Sequence, residues 1–190
     1  MIRSKIDSAN STKKRWIIWI DGANGVGKSH VAAKLSESFL EKNAEYVESD
    51  LYWLNFIKVN EGKKRSGFNP YDSKWFLDEL KNVLDEKIQL GKMPIVSMSL
   101  VDKLCETELF NYFEIRKIPM IHIILEASKE TIIQRIKGDC IRDQAAQSQQ
   151  IANVEWQLAY LNSTYVNSIR VNTDNRSIKE IVDEIKSYIT

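Results

Sequence analysis

The chain has 190 residues, with 27 basic side chains against 26 acidic ones and a formal net charge of +1, so charge makes no case for a nucleic-acid partner. That length suits one domain with a substantial core, and no apolar run approaches the length needed to span a membrane. Cys105 and Cys140 lack the paired spacing of a zinc or redox motif and read as free thiols of a cytoplasmic protein.

In chain order, residues 1–15 are polar. Arg3, Lys5, Lys13, Lys14 and Arg15 stand against Asp7, and no apolar centre of a signal peptide is present. They read as a flexible N-terminal tail, leaving residues 16–190 as a single domain without internal repeats. Residues 16–20 are an apolar, β-branched and aromatic run that predicts a buried strand. Residues 22–29, Gly22-Ala23-Asn24-Gly25-Val26-Gly27-Lys28-Ser29, fit G-x-x-x-x-G-K-[ST] without a mismatch. Val31, Leu35 and Phe39 then recur at helical spacing.

Strand, glycine loop and helix together make a phosphate cradle. Glycines let backbone N–H groups turn onto phosphate oxygens, and the helix N-terminus adds its dipole. In this pattern Gly22, Asn24, Gly25, Val26 and Gly27 form the binding loop for ATP. Lys28 reaches the β- and γ-phosphates, and the Ser29 hydroxyl takes a place on Mg²⁺. His30 follows on the first helical turn, close to the phosphates, and reads as packing or capping rather than as a base. Asp21, just before the loop, reads as a brace for the turn.

Residues 45–49 predict a second strand that ends at Asp50, with Glu48 alternating onto the same face. Aromatic residues and a basic, glycine-bearing loop over 60–69 follow. Residues 75–90 carry apolar positions Leu77, Leu80, Leu84 and Ile88, a helical stripe stopped by Gly91. A third strand is expected over 94–101, a helix over 104–116, a fourth strand over 120–125 and a helix over 130–136. A polar stretch, 139–150, leads to a helix over 154–161 and a fifth strand over 166–171. Ser177 and Glu180 form a capping box that opens the last helix. Alternating strands and helices predict an α/β fold, a P-loop NTPase three-layer α/β/α sandwich with a five-stranded parallel sheet. Its loop would lie at the carboxyl edge of the sheet, near a topological switch point.

On these residues the chain resembles the small P-loop kinases, a group with shikimate, gluconate and nucleotide kinases. More closely it resembles the tunicamycin-resistance ATP-binding protein family. The matching stretches are 17–35, 95–101, 125–135 and 173–178, with aromatics at Phe68, Tyr71 and Trp75. The resemblance implies that Asp50 holds the acceptor hydroxyl, takes its proton, or approaches Mg²⁺ through water. It implies that Arg135 lies along the adenine or phosphates, that Arg142 closes over the transferring phosphoryl group, and that Thr173 lies in a loop against the adenine ring.

The chemistry suits those residue types. An alcohol in line with the γ-phosphorus needs a neighbouring proton acceptor, and a planar, permanently charged guanidinium suits the developing charge. No strand ends in an acid of the usual Walker B form, although Asp102 follows the third strand, and there is no room for the helical lid of ring ATPases. The expected activity is therefore transfer of the γ-phosphoryl group of ATP to a hydroxyl of a small-molecule acceptor, such as a nucleoside-like antibiotic. The acceptor region is expected among Tyr52, Trp53, Phe56, Phe68, Tyr71, Trp75 and Phe76, with Phe76 favoured for the core. The alternative is a resistance protein that sequesters such a ligand without phosphotransfer. A homodimer is left open.

Overall fold

The computed structural model describes residues 16–59 and 74–189. The N-terminal tail and the basic loop over 60–69, with Phe68 and Tyr71, lie outside the described residues, as does the side chain of Phe56. Strand β1 (Ile17–Gly22) is buried along its whole length, as expected for a central strand covered on both faces. Helix α1 (Lys28–Ser38) follows directly after the glycine loop and presents Val31, Ala32 and Leu35 to the core.

Strand β2 (Ala44–Glu48) runs straight into α2 (Ser49–Val59). The chain then continues through α3 (Lys74–Gln89), β3 (Met93–Ser97), α4 (Lys103–Ile115), β4 (Met120–Glu126) and α5 (Lys129–Lys137). It finishes with α6 (Gln144–Thr164), β5 (Ile169–Asn172) and α7 (Ile178–Ile189). The strands order as β2-β3-β1-β4-β5, and every pairing is parallel.

Alternation along β1 divides the core. Ile18 and Ile20 face α1, α5 and α7. Ile17 and Trp19 face α3 and α4, where the stripe Leu77, Leu80, Leu84 and Ile88 is buried as its spacing predicts. Helix α6 contributes Val154 to the first side and Leu161 to the second, so it closes one end of both layers.

Four boundaries differ from the sequence expectation. The aromatic segment after β2 is helical, and Asp50 stands in its first turn, where an acid complements the helix dipole, rather than at the strand end. Strand β3 stops at Ser97, and the following residues run beside the end of β1 with side chains taking over the bonding: Met98 N–H bonds Ile20 O at 3.2 Å, but Leu100 N–H bonds the Asp21 side chain at 3.0 Å. Helix α6 begins ten residues earlier than its apolar stripe, because the Asp143 side chain caps it by accepting the Ala146 N–H at 2.8 Å. Strand β5 starts at Ile169, since 166–168 form a turn in which Ser168 N–H bonds Tyr165 O at 3.2 Å. The predicted capping box of α7 is formed. Ser177 N–H bonds Glu180 Oε2 at 2.9 Å, and Glu180 N–H returns to Ser177 Oγ at 3.3 Å. Among the described residues no helix is long and apolar enough to cross a membrane.

Candidate active site

The glycine loop emerges at the carboxyl edge of the sheet from its central strand, between the two directions of crossover, where open α/β sheets build ligand sites. Gly22 has φ +142°, and a Cβ there would stand 2.8 Å from the Leu125 carbonyl oxygen, so only glycine fits. Gly27, at φ +107°, caps α1 with open space where its Cβ would be. No side chain caps this helix, so its first-turn N–H groups are not consumed by a capping oxygen and suit an anion.

Lys28 folds back over the loop, its Nζ donating to Gly22 O and Ala23 O at 3.0 Å each. Burial pulls its ammonium below the ordinary lysine range, opposed by the charges of Asp21, Asp50 and Glu48 and reinforced by Arg142. A phosphate would supply the missing anionic partner, so the donor set fits a nucleotide polyphosphate.

Four side chains hold the loop from outside. Asp21 bridges Gly22 N–H (2.6 Å) and Leu100 N–H (3.0 Å), the bracing role its position suggests. Ser99 donates to Gly22 O at 2.8 Å. From α6, buried Gln157 accepts the Asn24 N–H at 2.9 Å. From α5, Arg135 donates to Val26 O (3.0 Å), Thr173 Oγ1 (2.9 Å) and Thr173 O (2.8 Å). Arg135 is thus tied between the glycine loop and the turn after β5. Thr173 is buried, and its hydroxyl donates to Glu126 O at 3.0 Å, so its side chain is turned inward.

Ser29 lies beside the sheet, where its hydroxyl donates to Glu48 Oε1 at 2.8 Å. Glu48 is further held by the Tyr46 hydroxyl and, at 3.3 Å, by Ser97 Oγ on the neighbouring strand. Ser97 ends the strand beside β1, and Glu48 pairs with it in register. The carboxylate that reaches Ser29 is therefore supplied from one strand further out. Sequence reasoning underweighted Glu48. Its signal was the E-x-D spacing with Asp50.

Asp50 is solvent-exposed at its helix start, yet its surroundings desolvate it enough to raise its carboxyl above the ordinary range. Lys28 and Arg142 oppose that rise, and Glu48 adds to it. The same interactions put Asp50, Lys28, Glu48 and Arg142 within electrostatic reach of one another. Arg142 is partly exposed beyond α5 and pairs with Asp139, while Gln147 Nε2 donates to Asp139 O at 2.7 Å and ties this short segment to α6. His30 is exposed on α1. Among the described residues no group of three His, Cys, Asp or Glu side chains gathers to hold a metal unaided. Ser29 with Glu48 and Asp50 nearby fits Mg²⁺ held mainly by phosphates and water.

A parallel sheet in this order, with a glycine loop after its central strand and a helix behind it, defines a P-loop α/β domain. The chain belongs to the AAA domain family, whose model matches residues 17–162. It is similar to the adenylyl-sulfate kinase of Staphylococcus haemolyticus (strain JCSC1435), 25% identical over 177 residues, covering 93% of this chain and 84% of that protein. Among solved structures, the tunicamycin resistance protein of Deinococcus radiodurans superposes with a TM-score of 0.68 at 20% identity, over 92% of this chain and 95% of that one. The Mycobacterium tuberculosis APS kinase, solved with AMPPNP and APS, gives 0.65 at 18% identity, over 93% and 98%.

Proposed function

We propose that the protein is an ATP-dependent, Mg²⁺-assisted kinase that transfers a γ-phosphoryl group to a hydroxyl of a small molecule. The observation that carries this reading is the glycine loop itself, with Lys28 folded over it and Ser29 at the helix start bonded to Glu48. The charges of Asp50 and Arg142 also act on Lys28. In this reading the loop N–H groups and Lys28 bind the polyphosphate. Bound Mg²⁺ would neutralise charge on the phosphates, with Ser29 as a ligand and Glu48 and Asp50 reaching it through water. Asp50 orients the acceptor hydroxyl and takes its proton. Its raised carboxyl makes it a better base than an ordinary aspartate, provided it is ionised. Arg142 stabilises charge on the transferring group, and its position on a short segment outside the core lets it follow the substrate. Arg135 and Thr173 hold the nucleotide side, with contact to the base made through backbone atoms.

A second reading has one observation in its favour, the superposition on a protein named for tunicamycin resistance. There the chain would bind nucleotide and sequester a nucleoside-like antibiotic without modifying it. Incubation with ATP·Mg²⁺ and a panel of nucleosides, sugars and tunicamycin, followed by mass spectrometry, separates the two. A product heavier by one phosphoryl group supports the kinase. Ligand-dependent stabilisation without product supports sequestration.

A further inference from the structure

We infer that His122 is a positioning residue of the phosphate loop, acting through Asp21. This rests on the nucleotide reading above. Asp21 is fully buried beneath the loop, and both of its oxygens are engaged. Oδ1 accepts Gly22 N–H at 2.6 Å and Leu100 N–H at 3.0 Å, and Oδ2 lies 2.9 Å from His122 Nε2. An ionised carboxylate only accepts, so His122 must carry a proton on Nε2. On the far side of the ring, Nδ1 lies 2.9 Å from Ser168 Oγ, whose hydroxyl donates to a neutral imidazole. The chain of contacts is Ser168 to His122 to Asp21 to Gly22.

The loop end of that chain is where binding geometry is decided. The residue whose N–H Asp21 fixes also carries the carbonyl that receives Lys28 Nζ at 3.0 Å and Ser99 Oγ at 2.8 Å. Asp21 further steadies the Lys28 ammonium by its charge. Without His122, one oxygen of a buried carboxylate has no donor, and the group must turn or take up a proton. Turning draws Oδ1 away from Gly22 N–H, and protonation leaves that bond in place but strips it of the charge that strengthens it. The loop then occupies its binding geometry for only part of the time, and apparent nucleotide affinity falls in proportion.

His122 is held for this task. Phe110 of α4 and Tyr165 after α6 meet its ring edge-on at centroid distances of 5.4 and 4.8 Å. The groups that face the ring are Asp21, Ser168, Phe110 and Tyr165. Burial keeps the Tyr165 phenol protonated, and it donates to Leu100 O at 2.9 Å, so Asp21 carries the charge among them.

The test uses the full chain, with ATP·Mg²⁺ affinity measured by calorimetry beside Tm. His122→Leu should weaken binding by about 10-fold or more through the unpaired carboxylate, and His122→Gln, which keeps a donor near Nε2, should recover to within about threefold. A folded His122→Leu protein that loses Tm but keeps wild-type affinity would show His122 to be only structural, overturning the inference. Asp21→Asn supplies the second arm, independent of whether the leucine variant folds. Its amide can only donate toward Nε2, so the ring proton must sit on Nδ1 in this variant and on Nε2 in the wild type. The ¹⁵N spectrum of His122 should show that change of tautomer. The same tautomer in both proteins would overturn the inference, as would an Nδ1–H tautomer of His122 in the wild type. Lys28→Ala separates the two levels. If it leaves ATP affinity intact, the nucleotide reading itself fails and takes this inference with it. If it abolishes binding while His122→Leu does not weaken it, only the inference fails.

Discussion

The two halves of the cleft are built differently. On the side proposed to bind nucleotide, the loop is held by hydrogen bonds from Asp21, Ser99, Arg135 and Gln157, its own Val26 is buried, and its Gly25 lies against Ile136. On the side proposed to receive the acceptor, Asp50 and Arg142 are exposed, and Leu51, Leu54 and Trp75 are each more than half exposed. One half is set before any ligand arrives, as a site serving one fixed polyphosphate can be. The other keeps its charged groups on helix starts and short segments, which is where functional side chains can move with a substrate. A preorganised half should respond to substitution in binding, and a mobile half in turnover.

The largest effect should come from Lys28→Ala, which tests the rigid half. Saturating ATP·Mg²⁺, at about 100 times its Kd, stabilises a folded binder by about 2.7 kcal/mol. A chain of this size should then gain several degrees in Tm. The variant should lose most of that shift, since it deletes the ammonium that folds over the loop. An unchanged response to ATP would end the assignment of the loop.

Arg142→Ala tests the mobile half. Turnover should drop by about 10³-fold or more while ATP affinity stays within several-fold, because the contact matters in the transition state. Arg135→Ala should behave in the opposite way, weakening ATP binding, because its guanidinium joins Val26 to Thr173 in the ground state. If both variants change affinity and turnover alike, the division between the halves is wrong.

Asp50→Asn should lower turnover by about 10²- to 10⁴-fold, the usual worth of a positioned base. In the wild-type protein the acid limb of the rate should lie above the ordinary carboxylate range, because the folded protein raises this group. The sign for stability follows. A carboxyl raised on folding binds its proton more tightly in the native state, so its contribution to stability is present at low pH and lost as pH rises through the raised value. At neutral pH the ionised Asp50 therefore opposes folding, and the asparagine variant should melt higher there. A lower Tm for Asp50→Asn at neutral pH would show that the carboxylate is instead held by favourable contacts.

The same contrast explains what could be read from the sequence. The glycine loop, the stripe of α3 and the capping box of α7 depend on residues a few positions apart, and all are found where their spacing puts them. Glu48 on Ser29, Arg135 on Val26 and Gln157 on Asn24 join residues 19, 109 and 133 positions apart, which no local pattern encodes. The early start of α6 was missed because its first turns expose polar residues and rely on the Asp143 cap rather than on an apolar face. Helix α2 was missed because aromatic and β-branched residues make poor local evidence for a helix, and Trp53 settles instead by edge-on packing against Phe76 at 5.3 Å.

The smallest effect, and the sharpest on how rigid the nucleotide half is, belongs to Gln157→Leu. Gln157 lies on α6, which touches both layers, and its Oε1 holds the Asn24 N–H of the glycine loop. Leucine fills nearly the same buried space but accepts nothing, so the loss is a single hydrogen bond worth about 1 kcal/mol. Part of that loss disappears once a phosphate arrives, because an N–H freed from Gln157 can turn toward the ligand. ATP affinity should therefore fall by no more than about fivefold, while Tm without nucleotide drops and recovers when ATP is added. If affinity falls by as much as it does for Lys28→Ala, α6 sets the loop geometry rather than supporting it, and the rigid half extends into that helix.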